Sequence, residues 1–110
     1  MKENRQTIEI TTPVQNIKVV LYEWITGGEY ESINQPLMSA VSVKNIGPQG
    51  AEIDKFDAKA VDESNHRAIE NVVVSIDGSE DAVLKKVLDM HIDDYSFVLQ
   101  KVSDIAKKKS

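Results

Sequence analysis

Cysteine is absent from all 110 residues. That excludes a disulfide framework and thiolate chemistry, so the fold must hold by packing alone. Histidine is scarce, with two copies, His66 and His91. A catalytic zinc site usually takes three protein ligands, often histidines. His91 and Asp94 are close enough in sequence to share a metal, but nothing else converges on them by spacing. Surface or hinge histidines are the simpler reading, and no metal and no cofactor is expected. Basic charge is also short: 13 Lys and Arg stand against 18 Asp and Glu, for a net charge of -5. Phosphate binding needs a basic face, so a nucleic-acid partner is disfavoured. No apolar run approaches the roughly 18 residues of a membrane span. Met1 to Gln6 carry no apolar signal region, so a cytoplasmic location and no membrane partner are expected.

What is there fits one soluble domain. A chain of this length has one core and should bury about two thirds of the surface its unfolded form exposes. Residues 1–6 are polar and read as frayed. Thr7-Ile8-Glu9-Ile10-Thr11 alternates apolar and polar, a strand signal. Pro13 to Asn16 reads as a turn, and Ile17 to Tyr22 as a second β-prone run. Together they predict a hairpin with a loop of about four residues, covered by a helix because two strands alone are marginal. Ile8, Ile10, Ile17, Val19 and Leu21 are its core-facing residues.

Thr26 and Glu29 match a capping box, with Ile25 and Tyr30 at the staple positions around it, so a helix should start at Gly27. Its apolar positions are Tyr30, Ile33, Leu37 and Ala40 or Val41. Pro36 removes an amide donor and crowds the preceding turn, which predicts a kink or break. Gly27 and Gly28 are not read as a phosphate loop, which needs more glycines, a following lysine and a preceding strand; the capping box is enough to explain them. Residues 44–60 read as a loop around Gly47-Pro48-Gln49-Gly50. Phe56 and Val61 are the apolar markers of the polar stretch up to Asn65. A helix is expected over Val61–Asn71, with Val61, Ala68, Ile69 and Val72 spaced for one apolar face. The acidic residues Glu52, Asp54, Asp57, Asp62, Glu63 and Glu70 are better read as a solvated face than as a contact surface for a basic partner.

The last third organises the chain. Val72 to Ile76 is an extended run closed by Asp77-Gly78. Ser79 is a good N-cap for a helix over Ser79–Met90, with Val83, Leu84, Val87 and Leu88 on one face. Asp93 or Asp94 should cap the last helix; with Asp93 as cap, Ile92 and Phe97 form the staple. Tyr95, Val98, Leu99, Val102 and Ile105 build its buried face. The short link predicts an antiparallel pair. Lys107-Lys108-Lys109 reads as a fraying helix end that complements the dipole. The fold class is therefore α+β, a single domain with an N-terminal β-hairpin packed on a mainly helical body that ends in an antiparallel helix pair.

Chemical motifs are missing. Asp77, Ser79 and Asp81 imitate the opening of a calcium loop, but Ala82 stands where glycine is required and Leu88 where glutamate is. Ser75, Ser79 and Ser96 lack the strained glycine-flanked setting of a serine nucleophile. No enzyme is expected. Trp24, Tyr22, Tyr30 and Met38 are the large side chains of the N-terminal half, and core packing is their ordinary role. The sharper alternative is that Trp24, Tyr30, Leu37 and Met38 anchor a partner, since aromatics and methionine are enriched at interface centres.

Three stretches, Val19-Val20-Leu21-Tyr22-Glu23-Trp24-Ile25-Thr26-Gly27, Val72-Val73-Val74-Ser75-Ile76-Asp77-Gly78 and Asp94-Tyr95-Ser96-Phe97-Val98-Leu99-Gln100-Lys101-Val102, together resemble the tail assembly chaperones of long-tailed bacteriophages. They are patterns of apolar and turn residues and cover part of the chain, while Glu52 to Asn65 matches nothing in the pattern. The resemblance implies a chaperone that coats the tape-measure protein, with the major tail protein as a further partner, and that is absent from the mature virion. The family carries no catalytic residues to transfer. The alternative is a virion structural protein, a tail or head–tail completion subunit. Self-association through the hairpin edge is a further expectation.

Overall fold

The computed structural model describes residues 5–44 and 58–106. Met1–Asn4, most of the expected loop with Phe56, Glu52, Asp54 and Asp57, and the Lys107–Lys109 cluster lie outside them. The fold is α+β, with a three-stranded antiparallel sheet and four helices among the described residues. Strand β1 (Thr7–Thr11) pairs with β2 (Lys18–Tyr22) in the register Thr7↔Tyr22 to Thr11↔Lys18. The loop between them is closed by Thr12, whose backbone N–H donates to the Ile17 carbonyl (3.0 Å) while its hydroxyl accepts the Ile17 N–H (2.8 Å).

The expected hairpin is thus present, and it gains a strand. β3 (Val73–Ile76) adds to the other edge of β2, with an irregularity between Val20 and Leu21. β2 is therefore central, which is why Val19 and Leu21 are wholly buried. Burying such a side chain is worth about 1.5–3 kcal/mol. Asp77 and Gly78 both have positive φ, 50° and 85°. That is a type I′ turn, in which glycine avoids the Cβ penalty of left-handed backbone. Ile76 and Ser79 exchange both backbone hydrogen bonds across it, each 2.9 Å.

Helix α1 (Gly27–Lys44) starts where expected. The Glu29 N–H donates to the Thr26 hydroxyl (3.1 Å), and the Thr26 N–H donates to the Glu29 carboxylate (2.9 Å). Of the predicted kink or break at Pro36, the break does not occur, since α1 runs through it. Proline removes the donor that would serve the carbonyl four residues earlier, at Ser32. The Arg67 guanidinium takes that place, donating to the Ser32 carbonyl at 2.9 Å. The adjacent Ile33 carbonyl accepts from the Ser64 hydroxyl at 2.8 Å. Both donors come from α2 (Ala58–Val72), which packs along α1.

Helix α2 begins earlier than Val61, so residues 58–60 are helical rather than loop, as is Lys44 at the end of α1. Its inner stripe is Ala60, Ser64, Ala68, Ile69 and Val72, while Val61 is exposed. The small residues let α1 approach, and a reading keyed to large apolar side chains passes over them. Val72 closes the helix instead of opening the strand.

The expected helix over Ser79–Met90 shrinks to α3 (Val83–Leu88), preceded by Ala82 in the left-handed region. Ser79 is not its cap, because its backbone is engaged with Ile76 across the turn. Helix α4 (Ile92–Ala106) buries Val98 and Val102 as expected, with Tyr95, Leu99 and Ile105 half-buried. It packs mainly against α2, while Val87 of α3 and Met90 of the following link join the shared core.

Candidate binding surface

Two ends of the molecule combine an inward charge with outward apolar side chains. The first end lies where β2 leads into α1. Arg5 is buried, contrary to the expectation that residues 1–6 fray. Its guanidinium lies 4.2 Å from the centre of the Tyr22 ring and 5.1 Å from that of Trp24. It donates to both oxygens of Glu29 (2.9 and 3.0 Å) and to the Trp24 carbonyl (3.1 Å). Gln6 is also tied down, its carbonyl accepting from the Glu23 N–H at 3.0 Å. A planar cation that both stacks on rings and pairs bidentately with a carboxylate is a role lysine could not fill. Glu29 thereby caps α1 and anchors Arg5 at once, which ties the helix start to the segment preceding β1.

Trp24 is held by this arrangement and is still 48% exposed. Beyond it, α1 turns Tyr30 (41% exposed) and Met38 (67%) outward, with Leu37 half-buried beside them. The expected inward face of Tyr30, Ile33 and Leu37 is corrected by this: of the three, Ile33 alone is fully in the core. Tyr30, Leu37 and Met38 fall within about a quarter-turn of one another around the helix. From Gly27 to Met38 the helix advances roughly 16 Å at about 1.5 Å per residue. Trp24 sits ahead of the helix, between β2 and α1. None of Trp24, Tyr30, Leu37 and Met38 is among the buried core residues.

The second end was not visible in sequence. Asp94 is fully buried, and its two oxygens accept the backbone N–H groups of Val14 and Gln15, each at 2.8 Å. Burial works to raise its pKa. The Val14 and Gln15 donors, the Thr12 hydroxyl and nearby His91 outweigh that and hold the carboxyl below the ordinary aspartate value. Asp94 is therefore not a helix cap, and neither is Asp93. Helix α4 starts at Ile92, and the His91 ring caps it, Nδ1 accepting the Asp93 N–H at 3.0 Å. The His91 N–H in turn donates to the Gln15 side chain at 2.9 Å. Ile92 is the first helical residue and is 65% exposed, so it cannot serve as the staple residue outside the helix.

As for bond-making chemistry, no group of three or more His, Cys, Asp or Glu among the described residues is arranged to hold a metal ion. His91 Nδ1 and both Asp94 oxygens are already committed to backbone donors. No helix among the described residues is long and apolar enough to cross a membrane. The arrangement leaves Trp24, Tyr30 and Met38 exposed on a chain of net charge -5. No family model, curated protein or solved structure matches the chain.

Proposed function

We propose that this protein is a tail assembly chaperone of a long-tailed bacteriophage, binding the tape-measure protein in the host cytoplasm while the tail is built. The observation that carries the reading is the exposure of Tyr30 and Met38 on a helix that also sends Ile33 into the core, with Trp24 exposed just ahead of it. A long helical client with exposed apolar stripes is matched by such exposed aromatic and methionine anchors. Copies bound side by side along one client would gain avidity from weak individual contacts. The resemblance of Val19–Gly27, Val72–Gly78 and Asp94–Val102 to that family supports the same assignment.

The test is co-expression of this chain with a tape-measure protein, followed by light scattering of the soluble fraction. The wild-type chain keeps the client soluble and co-purifies with it. Trp24→Ser combined with Met38→Ser abolishes both effects while leaving the fold intact by circular dichroism. Stoichiometric presence of the chain in purified virions would overturn the reading in favour of a structural tail or head–tail subunit.

A further inference from the structure

The β1–β2 loop and the turn after β3 meet at an open cleft of about 380 Å³. Small-molecule sites run from roughly 300 to 1,000 Å³, so the cleft has room for a small ligand. Ile17, Ile76 and Met90 supply its apolar lining. Ile76 and Met90 are core residues, so that lining is held in place by packing. Trp24, Tyr30, Leu37 and Met38 take no part in it.

Gln15, Ser79 and Lys86 also line the cleft, and each has an unused donor. Lys86 Nζ donates to the Ser79 hydroxyl at 2.7 Å and meets no carboxylate among the described residues. An ammonium carries three N–H donors, so two stay open. The Ser79 oxygen accepts the Asp81 N–H as well, at 3.2 Å, while its own O–H has no acceptor among the described residues. Gln15 Oε1 accepts the His91 N–H at 2.9 Å, which leaves its NH2 group free of any acceptor among them. Backbone hydrogen bonds fix two of the three residues: Gln15 N–H donates to Asp94 (2.8 Å), and Ser79 exchanges both of its bonds with Ile76 (2.9 Å). A cluster of open donors beside a cation is suited to an anion.

Asp77 and Asp89 complete the lining, and both are engaged elsewhere. Asp77 accepts the Lys18 N–H at 3.0 Å, and Asp89 pairs with Lys85 at 3.0 Å. Their charge still bears on which anion fits. The lining holds a single cation, Lys86, which balances one negative charge, and the two carboxylates oppose a second. We infer that the cleft binds a small monocarboxylate with a branched apolar body. Its carboxylate meets the Lys86, Ser79 and Gln15 donors, and its body lies on Ile17, Ile76 and Met90. A free organic acid and the C-terminal residue of a peptide ending in leucine share this chemistry. The site does not rest on the client proposed for α1, and failure of either leaves the other standing.

The test uses the full chain with labelled Ile and Met methyl groups, and isocaproate as the probe. The acid shifts the methyl signals of Ile17, Ile76 and Met90. Isocaproamide has the same shape without the charge, and it binds at least about tenfold more weakly because the charge-assisted hydrogen bonds are lost. Lys86→Met lowers the affinity for the acid by about the same factor, and Lys86→Arg keeps most of it. The peptide Gly-Gly-Leu with a free C-terminus forms the second arm. Tighter binding than the free acid marks a chain terminus as the natural ligand, weaker binding marks an organic acid, and both support the site. Equal binding of isocaproate and isocaproamide to the wild-type chain overturns it, and that comparison needs no variant to fold. So does an absence of shifts at the three methyl groups. Tighter binding of isoamyl phosphate, a dianion at about pH 8, would equally overturn the assignment of a single negative charge.

Discussion

Arg5 and Asp94 are both buried charges, and each fixes an exposed apolar residue nearby, Trp24 in one case and Val14 in the other. They are stabilised in different currencies. Arg5 is met by an opposite full charge, Glu29, and by two aromatic faces. Asp94 is met by backbone N–H groups of a loop and by a hydroxyl, with His91 adding a lesser contribution. The first solution couples two charges that depend on one another. The second neutralises one charge with dipoles that cannot leave, because they belong to the main chain. The α1 end should therefore respond most to loss of a charge partner, and the α4 end most to pH.

The largest effect is expected from Arg5→Ala. It leaves Glu29 without its bidentate partner in a poorly hydrated setting, and removing one member of a buried pair costs about 3–5 kcal/mol. Urea denaturation measures the loss. Glu29 retains the Thr26 N–H, so α1 should still begin at Gly27, and amide exchange at Tyr30 would show it. An Arg5→Ala variant as stable as wild type would erase the contrast between the ends.

A smaller loss is expected from Asp94→Asn, with a different signature. The asparagine oxygen can still accept one loop N–H, but its NH2 group faces the other, donor against donor. The pH dependence is the sharper readout. Asp94 has its folded pKa depressed, so below the ordinary aspartate pKa of about 4 the unfolded chain binds the extra proton. Its contribution is fully present above that pH and disappears as pH falls through the lowered folded value. Wild type should lose stability over this acid range more steeply than Asp94→Asn. Parallel stability curves below about pH 4 would show that Asp94 is not held low.

The α1 end has a second, weaker dependence at Pro36. Arg67→Ala takes away the donor that replaces the missing proline N–H at the Ser32 carbonyl, a loss of about 1 kcal/mol. In a Pro36→Ala background the helix supplies its own donor to Ser32, so the same Arg67 change should cost less. A double-mutant cycle with no coupling would mean that Arg67 acts only through Gln35 and Glu63, its other partners.

These interactions also mark where sequence reading stopped. The hairpin, the Thr26–Glu29 box and the Asp77-Gly78 turn were legible because each is written in adjacent residues. Arg5 reaches partners 19 and 24 positions away, and Asp94 reaches 79 and 80. No period or cap rule encodes such distances. Pro36 looked like a breaker because its rescue comes from a side chain 35 positions beyond the carbonyl it serves. Ser79 looked like a cap because serine favours caps, yet the turn before it had already claimed its backbone. For the surface, Trp24, Tyr30, Leu37 and Met38 were nameable by residue type. Val14 was not, because what holds its loop is Asp94.

The smallest effect on folding, and the one that separates presenting residues from the charges beneath them, is expected from Met38→Ser. The side chain is 67% exposed and belongs to no core contact set. Surface changes of this kind stay within about 0.5 kcal/mol. If Met38 exists to meet a client, its loss should weaken client binding while the urea midpoint stays in place. Arg5→Ala should do the reverse in part, lowering the midpoint and weakening the client only as Trp24 loosens. Measuring both quantities on both variants shows whether holding and presenting are distinct jobs at this end. A Met38→Ser protein that unfolds early and binds normally would place the residue in the scaffold and remove it from the surface.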